Sequence, residues 1–224
     1  MAIIRQNSRG LLIVVSGPSG AGKDTVVNEL LRRNDTNIWV SISMTSREPR
    51  VNEVDGENYF FVSKEEFEEN IKAGNLLEYA TYNDNYYGTP KSKINEYLEK
   101  GIDVILIIEI QGALQIKELI PEALFIFIMP PTMEDLKDRL ITRGTEDKEK
   151  IMARFKKAYE EINEVTKYNY VVVNDIVSDA TDKVSSIIKA EKCRVDRIEE
   201  VFLNNKEELL HEGLLDNKEF DNSK

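Results

Sequence analysis

The sequence predicts an α/β fold in which a five-stranded parallel sheet is flanked by helices. Three observations carry this. Five short apolar runs rich in Val and Ile, at residues 11–15, 38–42, 104–108, 124–129 and 170–173, read as strands buried on both faces. Amphipathic stretches of helical length separate them, so the connections are right-handed crossovers and the sheet is parallel. The first run also passes directly into a glycine-rich turn, Gly17-Pro18-Ser19-Gly20-Ala21-Gly22-Lys23, at the carboxyl end of a strand, where such sheets bind their ligands.

That first junction names a polyphosphate as ligand. Its glycines let the backbone curl until successive N–H groups point inward. A helix starting near Gly22 adds its positive end, and Lys23 reaches the outer phosphates. With 11 glycines in 224 residues, the bare pattern of two glycines and a lysine is expected by chance only about 0.04 times. In one respect it departs from the usual form: Asp24, followed by Thr25, stands where a Ser or Thr ligand of Mg²⁺ is expected.

The remaining elements follow in order. Helices are expected at 23–33, 91–100, 112–119, 132–142, 146–167 and 179–192, several opening on the Thr or Asp of a helix cap. Pro90 suits a first helical turn, and Pro130-Pro131 stops a strand. Residues 44–89 break the alternation with short strands at 59–62 and 76–82 and a helix at 64–73, the place for a second substrate. The core domain is thus 10–43 with 90–192, and 44–89 is an insertion. Beyond it, Val195, Ile198, Val201, Phe202 and Leu209 recur at helical spacing and predict a C-terminal helix from Cys193 to about Leu210, within 193–215. Residues 216–224 form a polar tail.

Composition narrows the function. The chain is 41% hydrophobic and 32% charged, as soluble domains are. A net charge of −11 argues against broad binding to nucleic acid or to an anionic membrane, so an anionic ligand needs locally concentrated arginines. Arg47 and Arg50 form one such group; Arg139, Arg143 and Arg154 form another. Cys193, the single cysteine, cannot form an internal disulfide and is expected as a filler on an apolar helix face. His211, the single histidine, reads as solvated surface. No apolar stretch approaches a membrane span, the first ten residues lack a secretory signal, and the expected location is the cytoplasm.

A second cluster of motifs follows the first. Ser43-Met44-Thr45-Ser46-Arg47-Glu48-Pro49-Arg50 sets two guanidinium groups three residues apart beside a stiffening proline, which suits forked contacts to one phosphate. Downstream lie Asp55-Gly56-Glu57-Asn58-Tyr59-Phe60-Phe61-Val62, Leu77-Glu78-Tyr79, Asn85-Tyr86-Tyr87-Gly88-Thr89, Gln111-Gly112 after a buried strand, and Arg143-Gly144-Thr145-Glu146. In this order the motifs resemble those of guanylate kinases, from about Gly10 to about Arg194.

The resemblance implies a P-loop NTPase fold with a nucleoside monophosphate-binding insertion and a helical lid at about 139–157. It implies transfer of the γ-phosphoryl group of MgATP to GMP, and to dGMP. Residues 17–25 and Asn174 would bind ATP. Arg47, Arg50, Tyr59 and Tyr87 would hold the GMP phosphate, while Ser43, Glu78 and Thr89 read guanine. The chemistry of the base agrees, since one carboxylate can accept both its N1–H and its exocyclic amino group. Lys23, Arg47, Arg139, Arg143 and Arg154 would be the catalytic cations, although a solvated helix face would also explain Arg154, beside Lys156 and Lys157. Ile107 replaces an acid common in the family, leaving Glu109 for polar work on the GMP side. The protein ligands of Mg²⁺ therefore stay open, with Asp24, Thr25 and Glu109 near it. The alternatives are an idle module of this family that binds proteins, and a kinase for another base. Assembly into homo-oligomers is left open.

Overall fold

The structure, a computed structural model, describes residues 3–6, 9–33, 37–82, 84–142 and 148–202. In chain order the elements are β1 (Ile3–Gln6), β2 (Leu12–Ser16), α1 (Lys23–Arg33), β3 (Ile38–Val40), β4 (Met44–Thr45), β5 (Phe60–Phe61) and α2 (Lys64–Lys72). Then come β6 (Leu76–Tyr82), β7 (Asn85–Pro90), α3 (Ile94–Glu99), β8 (Asp103–Ile107), α4 (Ile110–Leu119), β9 (Leu124–Met129) and α5 (Met133–Thr142). Last are α6 (Lys148–Ile162), β10 (Tyr170–Val173), α7 (Val177–Glu191) and β11 (Ile198–Phe202). Of the described residues, those within 9–188 form one compact unit, and 3–6 with 189–202 form another.

The larger unit is built on a five-stranded parallel sheet in the order β10-β9-β2-β8-β3. Alternate residues of β2 feed opposite faces. Ile13 and Val15 join Ile105, Ile126 and Ile128 against Val26, Val27 and Leu30 of α1 and Val184 and Ile188 of α7. Leu12 and Val14 join Val104, Leu106 and Phe125 against Ile94 and Leu98 of α3 and Ala113 and Ile116 of α4. All five expected strands form, but β10 is not buried on both faces: Tyr170, Val171 and Val173 are 36%, 51% and 39% exposed because the strand is an edge. β2 sits centrally, with β8 on one side and β9 on the other. The chain thus leaves it at the switch point where α/β sheets open a ligand crevice.

The insertion is a four-stranded sheet, β5-β4-β7-β6, with α2 beside it. Phe67 of α2 is fully buried and stacks on Tyr86, and the Ser63 hydroxyl caps α2 by accepting from the Glu66 N–H at 3.1 Å. β4 and β7 carry no apolar alternation that a sequence reading could detect. Pro90 ends β7 opposite Leu76 rather than opening α3, which starts at Ile94. Between β6 and β7 the register slips: Leu76 faces Pro90 and Tyr79 faces Gly88, so Leu77 and Glu78 together oppose Thr89. This bulge re-aims Glu78.

In the smaller unit β1 and β11 pair antiparallel, with Ile3 opposite Phe202 and Ile4 opposite Val201. This corrects the expected helix from Cys193, since residues 195–197 make a short 3-10 turn and 198–202 a strand. Its partner comes from the other end of the chain, beyond any local periodicity. Cys193 is exposed and its thiol donates to the Lys189 carbonyl at 3.5 Å, so it is not an apolar filler. Residues 203–224, including His211, lie outside the described residues. No helix among those described is long and apolar enough to cross a membrane.

Candidate active site

The turn after β2 has the backbone the sequence calls for: Gly17, Gly20 and Gly22 all adopt positive φ. α1 begins at Lys23, aiming its N-terminus at the turn, and the Lys23 ammonium donates to the carbonyls of Gly17 at 2.7 Å and Pro18 at 3.3 Å. Gly22 is also a point of close approach. A Cβ there would lie 2.4 Å from Nδ2 of Asn174, whose buried amide donates to the Ala21 carbonyl at 2.8 Å. Asn174 Oδ1 is buried with no hydrogen-bond partner, and the Asn174 carbonyl accepts from Arg139 at 2.9 Å. One flank of the turn opens to a cleft of about 520 Å³ lined by Gly20, Thr25, Asp138, Arg139, Asn174 and Asp175.

The other flank opens to a cleft of about 200 Å³ in which four parts of the larger unit meet. Ser19, Lys23 and Asp24 come from the turn and the start of α1; Arg47, Arg50, Tyr59, Glu78 and Tyr87 come from the insertion, with Ser43 just before it. Ile107 ends β8 and Glu109 follows it, and Arg154 reaches in from α6. Arg47 lies 5.4 Å and 5.6 Å from the ring centres of Tyr59 and Phe61 and hydrogen-bonds the Tyr87 hydroxyl. Its fork is engaged by Glu53, at 2.9 and 3.0 Å, and Glu53 also accepts the Arg50 backbone N–H at 2.7 Å. The hydrogen bonds from Arg47 hold the Glu53 carboxyl below the usual carboxylate range. Burial, with Asp24 nearby, pushes the Tyr59 hydroxyl up to about 12 and keeps it a donor.

Glu78 is 5% exposed. Burial pushes its carboxyl up to about 7, a hydrogen bond from Thr89 partly offsets this, and Glu109 adds to the rise. The Thr89 hydroxyl donates to Glu78 Oε1 at 2.6 Å, so Thr89, itself fully buried, stands behind the carboxylate and does not line the cleft.

Among the arginines assigned to the lid, Arg154 donates to the Ser19 hydroxyl at 2.8 Å, directly at the phosphate turn. Arg139 is turned to Asn174 on the other flank, and Arg143 lies outside the described residues, with 144–147. Two acids went unnoticed in the sequence. Glu53 could have been suspected from its place three residues after Arg50. Glu161 of α6 could not, because only the fold brings it near Glu109 and Lys23. Burial first, and then Glu109, push its carboxyl up to about 7, against Lys157 at 3.7 Å.

No group of three or more His, Cys, Asp or Glu among the described residues could hold a metal. Asp24 and Glu109 line the cleft beside Lys23, whereas Thr25 faces the other one. This donor set fits a Mg²⁺ ion that keeps its water and arrives on phosphate oxygens.

The family model described as guanylate kinase matches residues 9–191. The chain is 62% identical over 208 residues to a guanylate kinase of Clostridium tetani, covering 93% of this chain and 99% of the relative. It is 55% identical over 213 residues to a guanylate kinase of Clostridium perfringens, covering 95% and 98%. The crystal structure of guanylate kinase from Anaplasma phagocytophilum superposes with a TM-score of 0.74 at 35% identity, covering 87% of this chain and 92% of that one.

Proposed function

The chain belongs to the guanylate kinase family, and from that premise we propose how its residues divide the work of an ATP:GMP phosphotransferase. The enzyme converts GMP and ATP to GDP and ADP. The observation that supports the division of roles is the single cleft shared by the phosphate turn, the paired arginines and Glu78.

The triphosphate takes the N–H groups of residues 17–23, and Lys23 exchanges the Gly17 and Pro18 carbonyls for phosphate oxygens. Adenine enters the flank with Arg139 and Asn174, where the unpartnered Asn174 Oδ1 suits its amino group. On the acceptor side, Arg47, Arg50, Tyr59 and Tyr87 hold the phosphate of GMP or dGMP. Glu78, oriented by Thr89, accepts the N1–H and amino group of guanine, and Ser43 completes the edge. Adenine lacks that donor pair and would leave a buried carboxylate unpaired; sites of this kind discriminate by about 10⁴ or more.

The acceptor oxygen is already ionised at neutral pH, so no strong base is needed; positioning and charge neutralisation supply the catalysis. Arg154, at Ser19, neutralises charge on the moving group, with Arg143 as its second cation. Mg²⁺, when carried in on ATP, screens the phosphate oxygens, and Asp24 and Glu109 would hold its water shell. The nucleotide substrates and the exposed, unpaired Cys193 favour the cytoplasm. A coupled ADP-release assay with GMP, dGMP, AMP, CMP and UMP tests the whole reading. Strong turnover with GMP and dGMP alone is expected, and comparable turnover with AMP would overturn it.

A further inference from the structure

Gln111-Gly112, singled out in the sequence, has no part in the chemistry above. Gly112 lies in the first turn of α4, and a methyl group added there would sit 2.1 Å from Glu78 Oε2, 2.8 Å from its Cδ and 3.4 Å from its Cγ. The three nearest atoms met all belong to the outer part of one side chain. One turn on, at i+3, Gln115 makes a two-way amide pairing with the next residue of β6. Its Nε2 donates to the Tyr79 carbonyl at 2.7 Å, and its Oε1 accepts the Tyr79 N–H at 3.3 Å. β6 is an edge of the insertion sheet, so Gln115 stands in for a missing neighbouring strand. Gly112 and Gln115 share one helix face, and that face meets the bulge that carries Glu78.

We propose that Gly112 and Gln115 are positioning residues for guanine selectivity: Gln115 anchors the bulged strand to α4, and the bare Cα of Gly112 leaves the room that the Glu78 carboxylate occupies to face the base. The inference rests on Glu78 as the guanine reader. It goes beyond that role by assigning the reader's placement to the core helix and not to the insertion alone. Thr89 fixes Oε1 from within the insertion, whereas Oε2 is located by the backbone of α4. An Ala at 112 can be accommodated if the Glu78 side chain swings away, a cheap move for a flexible side chain that destroys its alignment. Because Ala also has the better helix propensity, the substitution need not lower stability.

The test is a double-mutant cycle scored by kcat/KM for GMP and AMP, with GMP binding followed by calorimetry. Gly112→Ala is expected to lower kcat/KM for GMP about 100-fold, mainly through KM, with KM for ATP within about twofold. In a Glu78→Ala background, where the clashing atoms are gone, the same change is expected to cost less than about threefold. Equal losses in both backgrounds, or a parallel loss in ATP binding, would overturn the proposal. Gln115→Ala is expected to raise KM for GMP about 10-fold and also to become silent beside Glu78→Ala. It decides the matter should Gly112→Ala not fold: an effect that persists without Glu78 overturns the proposal. Failure of the underlying reading looks different, because Glu78→Ala would then leave the GMP/AMP preference unchanged.

Discussion

Replacing Glu78 by Gln separates two consequences of burying a carboxyl group. In the folded chain its pKa rises from 4.5 to about 7, a difference worth about 3 kcal/mol. Because the folded value is raised, the native state holds the proton more tightly than the unfolded chain does. The associated stability is therefore present below pH 4.5 and lost as pH rises through 7. Glu78→Gln should then be neutral near pH 4 and more stable than the parent by up to about 3 kcal/mol at pH 8, read by urea unfolding at both pH values. Binding runs the other way. Guanine needs the ionised carboxylate, so with a pKa of about 7 only about a tenth of the molecules are competent at pH 6. The apparent Kd for GMP should rise about 10-fold between pH 8 and pH 6. The phosphate of GMP also titrates near pH 6, but it does so equally in Glu78→Gln, which subtracts it. Calorimetry in buffers of different ionisation enthalpy should register release of nearly one more proton per GMP at pH 6 from the parent enzyme than from the variant. Identical pH profiles for parent and variant would refute the reasoning.

Arg47→Ala and Arg154→Ala should each lower kcat/KM by about 10² or more, the first through KM for GMP and the second through kcat, since only Arg154 reaches the phosphate turn at Ser19. Asn174→Asp replaces the donor to the Ala21 carbonyl with an acceptor; it should raise KM for ATP about 10-fold and cost about 1–3 kcal/mol in urea unfolding. Near-normal Mg²⁺ dependence is expected of the double variant Asp24→Ala, Glu109→Gln, measured as rate against free Mg²⁺; loss of Mg²⁺ activation in Asp24→Ala alone would contradict a metal held mainly by phosphate and water.

The parallel sheet was legible because its strands are buried and carry their own signal: Ile13, Ile105 and Ile126 sit in runs that no surface would tolerate. β10 misled for the converse reason, since Val171 and Val173 are apolar but lie on an edge. β11 misled because spacing of 3 and 4 in Val195, Ile198, Val201 and Phe202 fits a helix, while Ile3–Gln6 offers those residues a strand partner that no local window contains. The site was legible as a set of residue types but not as roles. In the sequence Arg154 could be a lid cation or a solvated arginine, and it ends at the phosphate turn, whereas Thr89 reads like a base contact and ends behind Glu78. A bulge at Leu77-Glu78 leaves no trace in composition.

Charge in the cleft explains how a chain of net charge −11 can grip a dianionic monophosphate. Glu53 is matched by Arg47 and the Arg50 N–H, so that pair contributes little net charge, while Glu78 and the nearby Glu161 are both pushed to about 7 and retain protons near neutrality. Arg50, Arg154 and Lys23 then face the acceptor and the turn, set against Asp24 and Glu109. Those two acids lie beside Lys23, yet both also raise the Tyr59 hydroxyl and Glu109 raises Glu78, so their charge is felt across the whole cleft. A triphosphate brought beside Lys23 meets that charge with more charge of its own than a monophosphate does. ATP affinity should therefore depend on Mg²⁺ more steeply than GMP affinity, read by calorimetry with each nucleotide alone, and the asymmetry follows from where Asp24 and Glu109 stand rather than from the total charge of the protein.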